Sequence, residues 1–310
     1  MKNHFPKVIF IVGPTASGKT VLSILLSKKF NGEVVNADSR QVYKEMNIAT
    51  AKPAHDPGRQ NSGEYIFQGV AHHLVDIVKP SKRFTLSDFK DQANLAIADI
   101  LSRGKLPIVV GGTGLYIWSL VDNLDIPKVE PNTKLRKSFD LKPLEELIKL
   151  LKNIDPETAK TVDLKNRRRV MRALEVAISS GESFVSQTTK SIPLYNALQI
   201  GIKTDREKLY QNINNRIDSQ IQSGLVEETK ILSGKYPWDL SSMSSIGYKQ
   251  IGSYLRGEIT LEEAVDVLKR DTRRYAKRQE TWFKRDKRIV WIAPDDIVGA
   301  QKIITKFLDK

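Results

Sequence analysis

The 310-residue chain predicts an α/β fold, with a parallel sheet core flanked by helices and an all-helical insertion domain. Strand-like apolar runs alternate with helical patterns over the first 121 residues, which is typical of a parallel sheet covered on both faces. From Leu135 to about Ser180 the chain is charged and helical without a strand. A strand-like run returns at "NALQIGIKT", and helices follow it. These changes of pattern predict a core that is interrupted once.

The first part of the core, residues 1–121, contains three predicted strands. "KVIFIVG" is an apolar run that ends in glycine, and the helix "ASGKTVLSILLSKKF" follows it. "GEVVNADS" is the second strand, and the helix "LSDFKDQANLAIADILSRG" ends at Gly104. "KLPIVVGGTG" is the third strand, before a short helix "LYIWSLVDNL".

The rest of the chain divides into two regions. "DIPKVEPNTK" holds two prolines and few large apolar residues, so it reads as a linker into the helical insertion, residues 122–200. Residues 201–310 form the second part of the core, with basic C-terminal helices and a possible last strand at "RIVWIAP".

The composition, 40% hydrophobic and 28% charged, is that of a globular protein. No apolar run approaches the length that spans a bilayer, and the N-terminal apolar run is too short for an export signal, so we expect a cytoplasmic protein that does not enter a membrane. Because the chain has no cysteine, disulfides and thiolate metal sites are excluded.

The net charge of +14 favours a polyanionic partner over simple solubility. Lys and Arg cluster at 165–172 and 268–288, and the second cluster also holds Tyr275, Trp282 and Phe283. Arginine fits phosphate and aromatic rings can stack on bases. The alternatives are solvated helix faces for the charges and core packing for the aromatic rings, and for the rings alone we favour packing.

The segment "GPTASGKT" fits the P-loop pattern, with a strand before it and a helix after it. Its backbone amides and the helix N-terminus would bind the anion, Lys19 would supply a charge, and Thr20 would supply a hydroxyl for Mg²⁺. The alternative is a chance match in a structural turn. The motif predicts a diphosphate or triphosphate site, and its residues are Gly13, Pro14, Thr15, Ala16, Ser17, Gly18, Lys19 and Thr20.

Polar residues end two predicted strands at the edge where α/β sheets bind ligands. Asp38 follows the second strand and is open to three roles: a Mg²⁺ ligand, a general base, or the N-cap of a following helix. Thr113, in "GGTG", could hydrogen-bond to a ligand or simply belong to a tight turn. That third strand lacks the terminal acidic residue of a Walker B element, which weakens an ATPase interpretation. The adjacent histidines of "VAHHLVDIVKP" do not predict a metal site, and one of them is expected to make structural hydrogen bonds.

Seven segments in order resemble the tRNA dimethylallyltransferases, also called tRNA isopentenyltransferases. They are "GPTASGKT", "DSRQVYKEMNIATAKP", "GVAHHLVDI", "VVGGTGLY", "NRRRVMRALEV", "SSIGYKQ" and "AKRQETWFKR", and they cover nearly the whole chain. The chain departs from the family pattern at Asn47 and Ala49, where Asp and Gly are usual.

The resemblance implies transfer of a dimethylallyl group from dimethylallyl diphosphate, with Mg²⁺, to the exocyclic N6 amine of an adenosine. That adenosine lies 3′ of the anticodon in tRNAs that read codons beginning with U, and diphosphate is released. It implies that Asp38 takes the proton of the amine, that Thr113 lies beside the reacting centre, and that Arg278 lies near the diphosphate. It also implies a helical insertion that grips the anticodon stem-loop, and we expect a monomer. The matching tRNA contacts are Asp38, Ser39, Arg40, Gln41, Asn166, Arg167, Arg168, Arg169, Val170, Ser245, Ile246, Gly247, Tyr248, Lys249 and Gln250.

Two other interpretations stay open from the residues alone. A P-loop kinase explains the loop and the fold, but neither the basic clusters nor the insertion. A nucleic-acid-binding module with a vestigial loop is disfavoured by the intact pair of Lys19 and Thr20.

Overall fold

The structure, a computed structural model, describes residues 5–57 and 65–310. Contacts divide the chain into one unit of Met1–Ile117 with Leu194–Lys310 and another of Trp118–Pro193. The second unit begins near the start expected for the insertion, residue 122, but it ends at Pro193 rather than at residue 200. Strand β6 (Asn196–Ile202) pairs along the first strand of the sheet, so it belongs to the first unit.

The first unit contains a sheet with strand order β3-β4-β2-β5-β1-β6-β7 among the described residues. Every neighbouring pair is parallel except β3 and β4, which confirms the predicted parallel core. The remaining strands are β1 (Lys7–Val12), β2 (Gly32–Asn36), β3 (Tyr65–Phe67), β4 (Val70–His73), β5 (Leu106–Gly111) and β7 (Val290–Ile292).

Helices cover both faces of this sheet and extend beyond its carboxyl edge. The helices of the first unit are α1 (Lys19–Lys29), α2 (Leu86–Ser102), α8 (Arg206–Gln222), α9 (Leu225–Lys235), α10 (Tyr248–Leu255), α11 (Leu261–Phe283) and α12 (Ile297–Leu308). Helix α3 (Gly114–Val121) crosses the boundary between the units along the chain. The predicted helix over "LSDFKDQANLAIADILSRG" is confirmed, and a capping box of Thr85 and Asp88 fixes its start.

Two clusters of buried side chains position the site. One lies between the sheet and helices α1 and α12, where Ile9 and Ile11 of β1 are fully buried. The other joins α8, α9, α10 and α11 to the segment after β2, through Val42, Tyr43 and Met46. Because that segment and these helices share a core, the carboxyl edge of the sheet is held against α8 and α11.

The second unit is built from four short helices: α4 (Thr133–Asp140), α5 (Leu144–Ile154), α6 (Pro156–Thr161) and α7 (Arg167–Ser180). Their apolar faces meet at Phe139, Leu147, Leu151 and Leu174. Glu175 is fully buried beside this core. It accepts hydrogen bonds from Arg136 and Arg172, which compensate the cost of burying its charge.

Strands β3 and β4 lie outside the sequence predictions. Both are short, and "VAHHLVDI" mixes polar and apolar residues too irregularly to predict a strand. Among the described residues, no helix is both long and apolar enough to cross a bilayer.

Candidate active site

Three loops meet at the carboxyl edge of the sheet, after β1, β2 and β5. Val12 of β1 is paired with Gly111 of β5, and the Ala37 amide donates to the Val110 carbonyl at 2.8 Å. A Cβ atom on Gly111 would lie 2.2 Å from the Ala37 carbonyl oxygen. Only glycine therefore allows these loops to approach so closely.

The P-loop closes around the N-terminus of α1. Gly18 has φ 95°, a left-handed conformation that glycine adopts without strain, and helix α1 begins at the next residue, Lys19. No side chain caps this helix start, so its first amides remain available to a ligand. The Lys19 Nζ reaches back and donates to the Pro14 carbonyl at 2.6 Å.

A cavity of about 150 Å³ lies over the P-loop. Its walls include Asp38, Gly112, Arg216 and Gln279, from four different segments of the first unit. The Ser17 hydroxyl of the loop is buried and has no hydrogen-bond partner among the described residues. Since an unpartnered buried hydroxyl is costly, it fits an acceptor supplied by a ligand, such as a phosphate oxygen.

Two cationic side chains, Lys19 and Arg216, line the pocket. Burial and the nearby charge of Arg216 lower the pKa of Lys19 to about 7, and the charge of Asp38 only partly opposes them. Arg216, on α8, donates from Nη1 to the Thr15 hydroxyl at 3.3 Å, and burial lowers its own pKa as well. Two cations that disfavour each other would both be stabilised by a bound anion.

Asp38 lies on a turn two residues beyond β2. Its Oδ1 accepts the Arg40 amide at 2.8 Å, and the Asn36 carboxamide Oδ1 accepts the Asp38 amide at 3.2 Å. No helix follows it directly, so the alternative of a helix N-cap does not hold. The geometry leaves the general-base and Mg²⁺-ligand roles, since the carboxylate lines the cavity.

Thr113 lies next to the cavity wall rather than on it. Its hydroxyl accepts the Ser39 amide at 3.1 Å and is hydrogen-bonded to the hydroxyl of Tyr275 on α11. Burial and the charge of Asp38 raise the pKa of Tyr275. Arg278 is also outside the cavity lining, and its guanidinium carbon lies 5.8 Å from the centre of the Tyr275 ring.

In the basic cluster that begins on α11, the cations are mostly exposed, whereas Trp282 and Phe283 pack against the rest of the first unit. Phe283 is buried, and the indole of Trp282 lies against Gly114. Packing therefore accounts for these two rings, as the sequence favoured. The exposed cations of the 268–288 cluster are Arg270, Arg274, Lys277, Arg278, Lys284, Arg285, Lys287 and Arg288.

The residues predicted to contact RNA near the pocket differ in accessibility. Arg40 donates from Nη1 to the Ser241 carbonyl at 2.8 Å, and Gln41 donates to the carbonyls of Thr50 and Ala51. In the segment from Ser245 to Gln250, Lys249 is exposed, Ile246 is half-buried, and the other four are buried.

Two of those buried side chains have carboxylate partners. The Tyr248 hydroxyl donates to Glu228 at 2.6 Å, and Gln250 donates to Asp271 at 2.9 Å. These two side chains therefore shape the start of α10, and Lys249 is the one whose side chain faces solvent.

The cluster at the start of α7 is similarly divided. Asn166 caps the helix, and Val170 is buried in the core of the second unit. Arg167 donates to the carbonyls of Phe139, Asp140 and Lys142, at the end of α4. Two predicted cations face solvent here, and they are Arg168 and Arg169.

Both adjacent histidines have structural roles. The Nδ1 of His72 is 2.9 Å from the Val70 carbonyl, and the Nε2 of His73 is 2.7 Å from buried Glu33. Within residues 5–57 and 65–310 no group of three or more potential side-chain ligands forms a metal cluster.

The sequence missed two residues of the cavity wall. Arg216 sits within a helix that is polar over most of its surface, where one arginine gives no signal. Gln279 lies in a segment that supported the resemblance, "AKRQETWFKR", but nothing in the residues predicted a role for it.

Fold and pocket together define a P-loop α/β protein with a cavity over the loop that is lined by two cationic side chains and a carboxylate. Comparison with known proteins gives the family. The model for IPP transferase matches residues 41–286, and the model for isopentenyl transferase matches residues 6–75. The chain belongs to the IPP transferase family.

Similar proteins and solved structures support the same family assignment. The chain is 44% identical to the tRNA dimethylallyltransferase of Acetivibrio thermocellus, over 96% of this chain and 95% of that protein. It is 47% identical to tRNA dimethylallyltransferase 1 of Citrifermentans bemidjiense, over 92% of each. The crystal structure of the tRNA isopentenylpyrophosphate transferase from Bacillus halodurans superposes with a TM-score of 0.71 at 38% identity, covering 98% of this chain and 97% of that one. The crystal structure of a eukaryotic dimethylallyltransferase acting on tRNA superposes with a TM-score of 0.81 at 29% identity. The match covers 98% of this chain and 80% of that one.

Proposed function

We propose that the chain is a tRNA dimethylallyltransferase. It moves the dimethylallyl group of dimethylallyl diphosphate to N6 of the adenosine that is 3′-adjacent to the anticodon, in tRNAs that read codons beginning with U. The observation that carries the proposal is the cavity that combines a P-loop, two cations and Asp38 in one space. Membership of the IPP transferase family supports it.

The diphosphate of the donor would lie on the P-loop. Lys19 and Arg216 would balance its charge, and the buried Ser17 hydroxyl would gain the acceptor that it lacks. Negative charge on the leaving diphosphate grows in the transition state, so donors fixed around it stabilise the transition state more than the ground state.

Mg²⁺ fits the donor side of this cavity. Thr20 and Asp38 both line it, and Mg²⁺ prefers such hard oxygen ligands together with phosphate oxygens and water. Thr20 would hold the ion. When bound, it would neutralise charge on the departing diphosphate.

The chain's own residues then account for the transfer. The adenine N6 attacks the first carbon of the allyl group, the carbon–oxygen bond to the diphosphate breaks, and the diphosphate leaves with the electron pair. Asp38 orients the amine and accepts its proton, which a delocalised adenine amine needs. The hydroxyls of Thr113 and Tyr275 hold the turn beside Asp38 through the Ser39 amide.

The target base must leave the anticodon loop stack to enter this cavity. Exposed cations of α11 and Lys249 in the first unit, and Arg168 and Arg169 in the second, would bind RNA phosphates. The helical unit 118–193 would grip the anticodon stem-loop, as the resemblance implies.

The direct test is incubation with labelled dimethylallyl diphosphate, Mg²⁺ and unmodified tRNA, followed by nucleoside analysis. We expect label in N6-dimethylallyladenosine and none in a tRNA whose target adenosine is replaced by guanosine. Lys19→Ala should abolish most of the transfer without weakening tRNA binding. Absence of label with the parent chain would overturn the proposal.

Thermal protection separates this function from that of a P-loop kinase. A kinase would be stabilised far more by ATP than by dimethylallyl diphosphate, and the proposed enzyme would show the opposite order.

A further inference from the structure

One face of helix α11 packs against the loops that form the candidate active site. Tyr275, Gln279 and Trp282 are spaced i, i+4 and i+7, so they project from the same side of the helix. Tyr275 is hydrogen-bonded to Thr113, Gln279 contacts both the P-loop and the loop after β5, and Trp282 lies against Gly114. This face therefore connects the P-loop to the loop after β5. The pairing of β1 with β5 does not hold these two loops together beyond the ends of the strands.

Gln279 makes the connection with a single carboxamide. Its Oε1 accepts the Thr15 amide at 2.9 Å, and its Nε2 donates to the Gly112 carbonyl at 2.9 Å. The two partners fix the orientation of the carboxamide. In the flipped form its NH₂ group would face the Thr15 N–H and its oxygen would face the Gly112 carbonyl oxygen. The side chain is only 6% exposed, so water does not compete for either bond.

The space around Gly112 suits this bridge. A Cβ atom there would lie 2.2 Å from the Gln279 Nε2 and 3.4 Å from the Gly13 carbonyl oxygen. Gly112 thus leaves the room through which Gln279 reaches between the two loops. The bond to Thr15 also commits that amide to the protein, leaving later amides of the P-loop for the anion.

We propose that Gln279 is a positioning residue that sets the distance between the P-loop and the loop of residues 111–114. The inference rests on the proposed function. The diphosphate would be held on the first loop, while Thr113 and, through Ser39, Asp38 are held by the second. Transfer needs the amine, the allyl carbon and the leaving oxygen in line, and a misplacement of about 1 Å can cost about 100-fold in rate.

The test is Gln279→Leu, which keeps the approximate size and removes both hydrogen bonds. We expect the single-turnover rate of transfer to fall about 10- to 100-fold, with the apparent affinity for the donor within about fivefold, since the anion-binding groups remain on the P-loop. Gln279→Glu keeps an acceptor for Thr15 but sets an oxygen against the Gly112 carbonyl, so it should also slow transfer.

The matched control is Gln199→Leu. Gln199 is 2% exposed, lies in β6, and donates to Asp286 at 2.9 Å without lining the cavity. It should reproduce any loss of stability but leave the transfer rate of the folded enzyme unchanged. Equal losses of rate in the two leucine variants would overturn the positioning role.

Amide hydrogen exchange gives a readout that does not depend on transfer. In Gln279→Leu, and not in Gln199→Leu, peptides covering residues 13–20 and 111–114 should exchange at least several-fold faster than in the parent. Parental exchange in both peptides would overturn the inference. If the parent transfers no dimethylallyl group, the proposed function fails, and exchange still decides whether Gln279 ties the loops together.

Discussion

Replacing Asp38 by Asn isolates the chemistry of its carboxylate. The Asp38 Oδ1 accepts the Arg40 amide at 2.8 Å, and an asparagine Oδ1 can accept the same bond. The turn should therefore survive, and the variant should fold as the parent does. What is lost is the negative charge and the ability to take a proton from the adenine amine.

The structure separates the expected losses in rate and in binding. General-base catalysis contributes about 10²- to 10⁴-fold, so we expect single-turnover transfer to slow by that factor. The charge of Asp38 also opposes the lowered pKa of Lys19, so its removal lowers that pKa further. Loss of the carboxylate also removes its repulsion of the diphosphate, so the two effects oppose each other and affinity for the donor should stay within about fivefold.

The assay is rapid-quench transfer from labelled dimethylallyl diphosphate to unmodified tRNA, beside direct titration of pyrophosphate. Asp296→Asn is the control, because its Oδ1 also accepts a backbone amide, from Gly299 at 2.9 Å, at the start of a helix outside the cavity lining. Near-parental transfer by Asp38→Asn would refute the general-base role. Recovery of most of the rate at high Mg²⁺, together with a large loss of donor affinity, would assign Asp38 to the metal instead.

Three further outcomes are expected. Lys19→Ala and Arg216→Gln should each weaken pyrophosphate binding at least tenfold in calorimetry while leaving tRNA affinity unchanged, and an Arg216 variant with parental affinity would remove that residue from the anion site. Arg168→Gln should flatten the dependence of log affinity for tRNA on log salt by about one unit, whereas Arg167→Gln should chiefly lower the melting temperature, because its guanidinium already holds the end of α4. Burial alone would raise the pKa of Glu175, but hydrogen bonds from its two arginine partners outweigh it and lower the pKa to about 2. The ionised Glu175 therefore stabilises the folded state fully above its unfolded pKa, and this stabilisation is lost as the pH falls from about 5 towards 2. Glu175→Gln should remove up to about 3 kcal/mol of the acid dependence of the free energy of unfolding. Acid unfolding curves that are the same in variant and parent would contradict this.

Features that depend on a continuous stretch of chain could be predicted from the sequence. The P-loop is one, because a strand, a glycine turn and a helix start within residues 7–29 define the anion site locally. The position of Asp38 follows from the parallel sheet, which brings the carboxyl ends of β1 and β2 to one edge. The seven ordered segments identified the family, although the residues they contain did not reveal how they contact one another.

Features that depend on tertiary packing could not be predicted. Arg216 and Gln279 reach the cavity only because α8 and α11 pack over the carboxyl edge. These two residues lie 201 and 264 residues after Thr15 of the P-loop along the chain. Arg167 looked like the other members of its basic cluster. Its engagement with the end of α4 depends on how two helices of the second unit pack, and charge pattern carries no information about that.

The end of β5 distinguishes this P-loop from that of a hydrolase and agrees with the proposed release of diphosphate. A P-loop hydrolase would be expected to place an acidic residue there, but Gly111 and Gly112 leave no room for one: a Cβ would lie 2.2 Å from the Ala37 carbonyl at the first position and 2.2 Å from Gln279 at the second. Among the described residues that line the cavity, Asp38 is the sole carboxylate, and it comes from β2 on the far side of β5 from the P-loop strand. The carboxylate thus comes from a strand that does not pair with the P-loop strand, and in the proposed reaction it would be available to an incoming amine, while the P-loop itself supplies amides, hydroxyls and Lys19. In the proposed reaction, this arrangement would favour attack at the carbon of an allylic diphosphate over attack at phosphorus.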